Sequence, residues 1–186
     1  MKKWFALIVG LQVLFLAGQM AHYEMRLASG ETLRLRVVPY DPRSLMMGQY
    51  MNLQYDISRV NPGKVHGAPQ ARTDADDLTG RVLYAAMRPG TPAARAEGFW
   101  LDRMPPRKPG IVYLRGRVAW HDSVLRVSYG LERYYIPERR THEAAELEKQ
   151  LASASRKPVI TAEVAVDSRG RGLVRRVLVD GKPIGY

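Results

Sequence analysis

The sequence predicts a mainly β domain with one helix, an α+β fold, built as a small antiparallel barrel or sandwich behind an N-terminal transmembrane helix. Three observations support this class. Residues 4–21 contain no charged side chain, the chain after residue 31 alternates apolar and polar residues as strands do, and turn-forming residues separate the alternating segments. We therefore divide the chain into an N-terminal anchor, residues 1–21, and one β-rich domain, residues 22–186.

The N-terminal segment is long and apolar enough to cross a bilayer as a helix. It reads WFALIVGLQVLFLAGQMA from Trp4 to Ala21. At 1.5 Å per residue it covers about 27 Å, close to the thickness of the hydrocarbon core. Lys2 and Lys3 precede it and predict a cytoplasmic N-terminus. The expected protein therefore spans the membrane once, and its C-terminal domain is extracytoplasmic.

A cleaved signal peptide is the alternative interpretation of the same segment. A charged start followed by an apolar stretch is common to both. The stretch is longer than a usual signal core, and Gln19-Met20-Ala21 has a large residue where a cleavage site needs a small one. These features favour a retained anchor, and cleavage stays open. Lipoprotein attachment is excluded because the chain has no cysteine.

The alternating segments predict about seven short strands. In the first of them Leu33, Leu35 and Val37 share one face, and polar residues share the other. Two pairs of neighbouring segments are separated by turn residues and predict hairpins. The predicted strands are Glu31–Val37, Tyr50–Ile57, Arg81–Arg88, Ile111–Trp120, Val124–Tyr129, Val159–Val166 and Gly172–Val179.

The segments between the strands predict loops and one helix. Pro39–Met47 holds two prolines and predicts a turn or short helical loop. Asn61–Gly80 and Arg88–Gly110 are rich in Gly and Pro and predict long exposed loops, the second interrupted only at residues 99–101. Thr141–Ala152 predicts a helix, because Thr141 suits the N-cap and glutamates follow in the first turns.

Composition limits the partners and the chemistry. The absence of cysteine excludes a disulfide framework, Cys-ligated zinc and thiol catalysis. The net charge of +11 has two interpretations: a basic domain that contacts anionic lipid headgroups, or an Arg-rich composition without such a partner. The second is favoured because the bases are scattered. Nucleic-acid binding is not expected, since no basic block is interleaved with aromatic residues.

The segment GQYMNLQY resembles the GDYXXLXY family, named after its motif Gly-Asp-Tyr-x-x-Leu-x-Tyr. The matching residues are Gly48, Tyr50, Leu53 and Tyr55, and Gln49 stands where the motif has Asp. Further similar segments follow in the same order, namely Tyr113–Arg117, Tyr129–Glu138 and Val179–Lys182. The resemblance implies a bacterial membrane-anchored protein without an assigned activity, often accompanied by a multi-spanning membrane protein. The implied location is the bacterial inner membrane, with a periplasmic domain.

The motif is understandable as structure. Gly48 has the conformational freedom to turn the chain into a strand, and Leu53 and Tyr55 then lie on the face opposite Tyr50. Gln49 can accept a hydrogen bond but carries no charge. A charge-dependent role of the family's Asp would therefore be impaired in this protein, which favours a structural role for that position.

The segment YGLERYYIPE, residues 129–138, is the candidate binding surface, because tyrosine and arginine dominate the energetics of many interfaces. The alternative is a strand whose Glu132 and Arg133 pair across the sheet and whose tyrosine hydroxyls reach solvent, and it is slightly favoured. The expected binding surface or polar network consists of Tyr50, Tyr55, Arg115, Glu132, Arg133, Tyr134 and Glu138.

The sequence gives little support to catalysis. The four histidines form no ligand pair at helical or strand spacing, so neither a metal site nor a cofactor is expected. The enzyme alternative is a membrane-anchored Ser/Lys hydrolase that resembles signal peptidases in layout only. Ser44 is too close to Gly48 for that pattern, and Lys64 and Lys108 fall in loops where a desolvated lysine is hard to arrange.

These observations favour a non-enzymatic, membrane-tethered binding or accessory domain, attached to the membrane through residues 4–21. Its expected partner is another membrane or envelope protein, most simply a multi-spanning one. No catalytic residue is assigned. The Ser/Lys hydrolase is the remaining alternative.

Overall fold

The computed structural model describes residues 2–38, 46–47, 50–68, 78–121, 124–135 and 158–184. Within these ranges one N-terminal helix, α1 (Lys2–Ser29), precedes thirteen strands. The strands are β1 (Glu31–Val37), β2 (Met46–Met47), β3 (Tyr50–Asn52), β4 (Arg59–Val60), β5 (Val65–His66), β6 (Val82–Arg88), β7 (Arg95–Leu101), β8 (Val112–His121), β9 (Leu125–Ser128), β10 (Arg133–Tyr135), β11 (Ile160–Val166), β12 (Gly172–Val179) and β13 (Lys182–Ile184).

Helix α1 has the length and composition of a membrane span. Its segment Lys2–Met25 has a mean hydropathy of 1.8, and none of it is buried against the rest of the protein. Trp4, Leu11 and Phe15 are each more than 60% exposed. A helix that is apolar on every side and uncovered has the properties of a candidate membrane span. The helix continues to Ser29, two turns past the expected boundary at residue 21.

The first sheet has four antiparallel strands in the order β1-β11-β12-β13. Its register pairs Glu31 with Val166 and Val37 with Ile160. Strand β1 alternates as predicted, with Leu33, Leu35 and Val37 buried. Strand β11 is buried along its whole length because it lies between two neighbours and is covered on both faces.

A second sheet has six strands in the order β4-β9-β8-β6-β7-β5, and a third has three, in the order β10-β3-β2. All pairs in both sheets are antiparallel except β5 and β7. The predicted hairpins are confirmed: β8 pairs with β9, and β11 pairs with β12. The mainly β prediction with one N-terminal helix is thus correct for the described residues.

The sheets share one hydrophobic core and pack in a sandwich-like arrangement, and the described strands form no closed barrel. A bridge between Val37 and Tyr55 connects the first sheet to the chain that follows β3. At the other end, the Arg115 backbone N–H donates to the Gly170 carbonyl oxygen at 2.7 Å. Of the two architectures predicted, the sandwich is the one observed.

The predicted strand over Tyr50–Ile57 is wrong in its second half. Strand β3 ends at Asn52, and a single 3-10 turn covers Asp56–Ser58. The inward side chains alternate as predicted, since Met51, Leu53 and Tyr55 are all buried. The chain stays extended to the bridge at Tyr55, and the Ser58 N–H then donates to the Tyr55 carbonyl oxygen at 3.0 Å and closes a turn.

The two predicted long loops contain strands. Residues 61–80 include β5, and residues 88–110 include all of β7. Strand β7 was missed because most of it is exposed or half-buried and its sequence, RAEGFWL, has little alternation. Edge strand β13 was also missed, because Pro183 argues against a central strand and is tolerated at an edge. The predicted helix over Thr141–Ala152 lies outside the described residues.

Candidate functional site

A groove of about 500 Å³ lies between the chain that follows β3 and the strand β9. Leu53 and Val127 form an apolar floor. Charged groups of both signs surround it. The groove is lined by Val38, Leu53, Gln54, Tyr55, Asp56, Ser58, Arg59, Ala119, Arg126, Val127, Ser128 and Glu132.

Two buried tyrosines hold one wall of the groove. The Tyr55 hydroxyl donates to the Leu131 carbonyl oxygen at 2.8 Å, and the Tyr129 hydroxyl donates to the Ile57 carbonyl oxygen at 3.0 Å. The two bonds run in opposite directions between the same two segments. We call this pair of bonds the tyrosine clasp. It joins residues 55–57 to residues 129–131, so the wall is fixed by partners far apart in the sequence.

Glu132 strengthens the same connection. Its backbone carbonyl oxygen accepts a hydrogen bond from the Leu53 N–H at 2.7 Å. Its side-chain Oε1 accepts one from the Tyr129 N–H at 2.6 Å. Burial raises the pKa of both clasp tyrosines above the ordinary value, and the negative charge of Glu132 raises it further. Both hydroxyls therefore stay protonated and act as hydrogen-bond donors at neutral pH.

Asp56 lies at the rim of the groove, beside Arg59. Partial burial raises the pKa of the Asp56 carboxyl, while the Ile57 backbone N–H and the positive charge of Arg36 act in the opposite direction. On the facing strand, Arg126 lies opposite Arg59 in the register of β4 and β9. The rim therefore presents carboxylates and guanidinium groups together.

Ser58 is a groove residue whose buried hydroxyl has incomplete hydrogen bonding. Its Oγ is buried and has no hydrogen-bond partner among the residues that the structure describes. An unsatisfied buried hydroxyl costs on the order of 1–3 kcal/mol. Because this oxygen has almost no accessible surface, a molecule in the groove could reach it only if the turn over Asp56–Ser58 rearranged.

The segments that form the groove carry the sequence motif noted above. A family model described as GDYXXLXY protein matches residues 12–177, from the middle of α1 into β12. The chain belongs to the GDYXXLXY family. That family has no assigned function. No curated protein and no solved structure matches the chain.

The second half of the GDYXXLXY motif is explained by the groove. Leu53 lies in its floor and is fully buried, and the final Tyr55 supplies one half of the tyrosine clasp. Gly48 and Gln49 lie outside the described residues. Tyr50 belongs to β3 and faces Tyr135 in the register with β10.

The remaining predicted site residues are only partly brought together. Glu132 lines the groove, and Arg133 and Tyr134 follow on β10, opposite Asn52 and Met51. Arg133 is exposed, and Tyr134 packs partly against the core. Arg115 does not join them, because it lies on β8 in another depression with Gly130 and Arg171. Glu138 lies outside the described residues.

Several groove residues were not predicted from the sequence, among them Asp56, Ser58, Arg59 and Arg126. The prediction of a strand through Ile57 concealed the turn that directs Asp56 and Ser58 toward the groove. Arg126 becomes adjacent only through the pairing of β4 with β9. The one available signal was that Asp56 directly follows the GDYXXLXY motif.

The described residues add no support for catalysis. They contain no group of three or more His, Cys, Asp or Glu side chains that could hold a metal ion. Lys64 and Lys108 are both exposed, whereas a lysine base needs desolvation to lose its proton near neutral pH. His66 stacks on Trp100 with ring centroids 4.9 Å apart. Ser44 lies outside the described residues.

Proposed function

We propose that this GDYXXLXY protein is a non-enzymatic, membrane-tethered binding or accessory domain that engages another membrane or envelope protein through the groove beside Tyr55. In this proposal α1 spans the bacterial inner membrane once. Lys2 and Lys3 keep the N-terminus cytoplasmic, and the domain is periplasmic. The anchoring half of the proposal is supported by the uncovered apolar surface of Lys2–Met25.

The observation that carries the binding half is the composition of the groove. It combines an apolar floor with a rim that carries charges of both signs. A ligand with charges of one sign only, such as a nucleic acid, would pair with Arg59 and Arg126. It would leave Asp56 and Glu132 facing like charge. A polypeptide segment matches both features, because it brings an apolar side chain and charges of either sign.

The size of the groove limits the occupant. A volume of about 500 Å³ lies within the range of small-molecule and peptide side-chain pockets, roughly 300–1,000 Å³. It accommodates a few side chains and not a folded domain. We therefore expect a short segment of the partner to enter, with one apolar side chain against the floor and charged side chains at the rim.

Crosslinking in intact cells tests the proposal. The full-length protein is recovered through a C-terminal tag, and the proteins attached to it are identified. Gln54→Trp places a large side chain in the groove at a half-buried position outside the core. Ala96→Trp makes a comparable change on the exposed surface of β7, far from the groove in the sheet order, and is the matched control.

We expect one membrane or envelope protein to be recovered in stoichiometric amount with the wild type and with Ala96→Trp. With Gln54→Trp its recovery should fall by tenfold or more, corresponding to about 1.4 kcal/mol of lost binding free energy. Equal recovery with all three proteins would show that the groove is not the binding site. A protein recovered alone would contradict the accessory role, and Ser44→Ala would then test the hydrolase alternative.

A further inference from the structure

The helix and the domain are joined without a flexible linker. Helix α1 ends at Ser29 and β1 begins at Glu31, so only Gly30 separates them. Arg175 on β12 fastens this junction, because its guanidinium donates to the Leu27 carbonyl oxygen of α1 and to Thr32 Oγ1. The Leu27 carbonyl lies at the C-terminal end of α1, where such groups lack helical partners. The direction of the domain relative to the helix is therefore constrained.

The loops at this end of the domain come together beside the junction. Glu31 pairs with Val166, and Val166 pairs with Gly172, so the turn over residues 167–171 extends beyond the strand ends nearest α1. The loop over residues 103–110 lies against this turn, since Arg107 donates to the Ser168 carbonyl oxygen. The Tyr113 hydroxyl holds the same loop by donating to the Pro106 carbonyl oxygen at 3.0 Å.

This junction end is strongly basic. The turn, the loop over residues 103–110 and the adjoining strand residues carry six bases, Arg103, Arg107, Lys108, Arg169, Arg171 and Arg175, against two acids, Glu31 and Asp167. The Asp167 carboxylate is already engaged by the backbone N–H groups of Arg169 and Arg171 and by the Arg171 guanidinium, each at 2.9 Å. Arg107, Lys108 and Arg169 are exposed. These three side chains are here called the basic rim.

The length of α1 places the basic rim close to the bilayer surface. From Ala21, at the end of the apolar stretch, to Ser29 the helix rises about 12 Å. The headgroup region beyond the hydrocarbon is about 5–8 Å thick on each side. The junction therefore lies about 5 Å outside the headgroups, within the Debye length of about 8 Å at physiological salt. Basic side chains at that distance are attracted to an anionic surface.

We propose that the basic rim, Arg107, Lys108 and Arg169, binds the headgroups of anionic phospholipids and holds the helix and the domain, as one unit, tilted toward the surface of the membrane that α1 spans. The inference rests on the anchoring half of the proposed function and is independent of the groove. The occupant is a lipid surface because the rim is adjacent to the bilayer, is rigidly joined to the span and is complementary in charge.

A single cysteine makes the docking measurable, because the natural chain contains none. Ser168→Cys, an exposed position in the turn, is labelled with a donor fluorophore in the full-length protein. Energy transfer to a headgroup-labelled lipid is measured in nanodiscs of phosphatidylcholine alone and in nanodiscs that also contain phosphatidylglycerol. Lys182→Cys is the matched reporter at the opposite end of β12, about 23 Å away along the strand.

Anionic lipid should increase energy transfer at residue 168 much more than at residue 182. Neutralising the basic rim with Arg107→Gln, Lys108→Gln and Arg169→Gln should lower the ratio of docked to undocked protein about fivefold for each base, on the order of 100-fold together. The control variant removes three exposed bases elsewhere, with Lys64→Gln, Arg95→Gln and Lys182→Gln, and should keep the response of the residue 168 reporter. Rising salt should weaken docking.

Three results would overturn the inference. Energy transfer from residue 168 could be equal in neutral and anionic nanodiscs, or the control variant could lower it as much as the rim variant does. Inorganic phosphate, added at constant ionic strength, could also abolish the extra energy transfer in anionic nanodiscs. The last would identify a site for free phosphate instead of a lipid surface. Failure of the anchor itself is distinguishable, because the protein would then not insert into nanodiscs at all. If the groove is not the binding site, only the recovery of the partner protein is affected.

Discussion

The Tyr55 phenolic oxygen lies 2.8 Å from the Leu131 carbonyl oxygen, although the two residues are 76 positions apart in the chain. This contact gives the last tyrosine of the GDYXXLXY motif a physical role. It ties the motif segment to the tyrosine-rich segment over residues 129–135, and the reciprocal bond from Tyr129 to Ile57 completes the clasp. Both hydroxyls are buried, so the favoured interpretation that these tyrosines reach solvent is wrong for Tyr129.

Removing the Tyr55 hydroxyl should destabilise the domain without changing its shape. Tyr55→Phe keeps the ring and leaves the buried Leu131 carbonyl without that donor, at a cost of about 1–2 kcal/mol in the free energy of unfolding. Urea unfolding of the full-length protein in detergent, followed by tryptophan fluorescence, measures this. Tyr84→Phe is the control, since the half-buried Tyr84 hydroxyl makes no hydrogen bond within the described residues. Equal stability of both variants would show that the clasp bond contributes nothing.

The clasp also predicts a loss of stability at alkaline pH. Burial raises the pKa of Tyr55 and Tyr129 above the ordinary value of 10.0 in the folded state. Above about pH 10 the unfolded chain releases these protons and the folded chain keeps them, so stability falls as pH rises. Each tyrosine contributes up to about 1.4 kcal/mol per pH unit. Between pH 9 and 11, the melting temperature of the double variant Tyr55→Phe with Tyr129→Phe should fall less than that of the wild type. An equal fall in both proteins would show that these two tyrosines do not cause the alkaline loss of stability.

Glu163 is a buried carboxylate between two arginines on neighbouring strands. Arg34 and Arg176 are its register partners on β1 and β12, and Arg176 donates to both carboxylate oxygens at 3.1 Å. Glu163→Gln removes the charge and should cost about 1–3 kcal/mol in the free energy of unfolding, because hydrogen bonds to charged groups are lost in a buried place.

The exposed pair Arg88 and Glu97 is the control for this change. Glu97→Gln should cost less than about 1 kcal/mol, since surface ion pairs contribute little. Chemical unfolding of both variants gives the comparison. If the two substitutions lowered the free energy of unfolding equally, burial would not make the ion pairs of Glu163 more stabilising than a surface pair.

Much of the strand content could be predicted from local patterns. Strands β1 and β12 were predicted with the observed bounds, and β8 and β11 to within a residue, because each buries alternate side chains or a continuous apolar run. Strand β7 could not be predicted in the same way, since it is stabilised by pairing with β6 and β5 and its own side chains are mostly exposed. Pairing between backbones leaves little trace in sequence.

The candidate site was predicted only where the motif and the tyrosine-rich segment overlap it. Tyr55 and Glu132 were both singled out and both line the groove. Arg115 was grouped with them and lies elsewhere. Residue type identified side chains able to form hydrogen bonds, but it carried no information about which of them the fold makes neighbours.

The sequence by itself determined the long apolar N-terminal helix, the β-rich class and the family. Each is a property of a continuous segment: an apolar run long enough for a helix to cross a bilayer, a two-residue alternation, and a short motif. Only the tertiary structure decided that Tyr55 faces inward as a clasp, that Asp56 and Arg126 share a groove, and that Arg107 joins the turn beside α1. The physical reason is that these relationships arise from packing and pairing between residues distant in the chain, whose geometry no local pattern encodes.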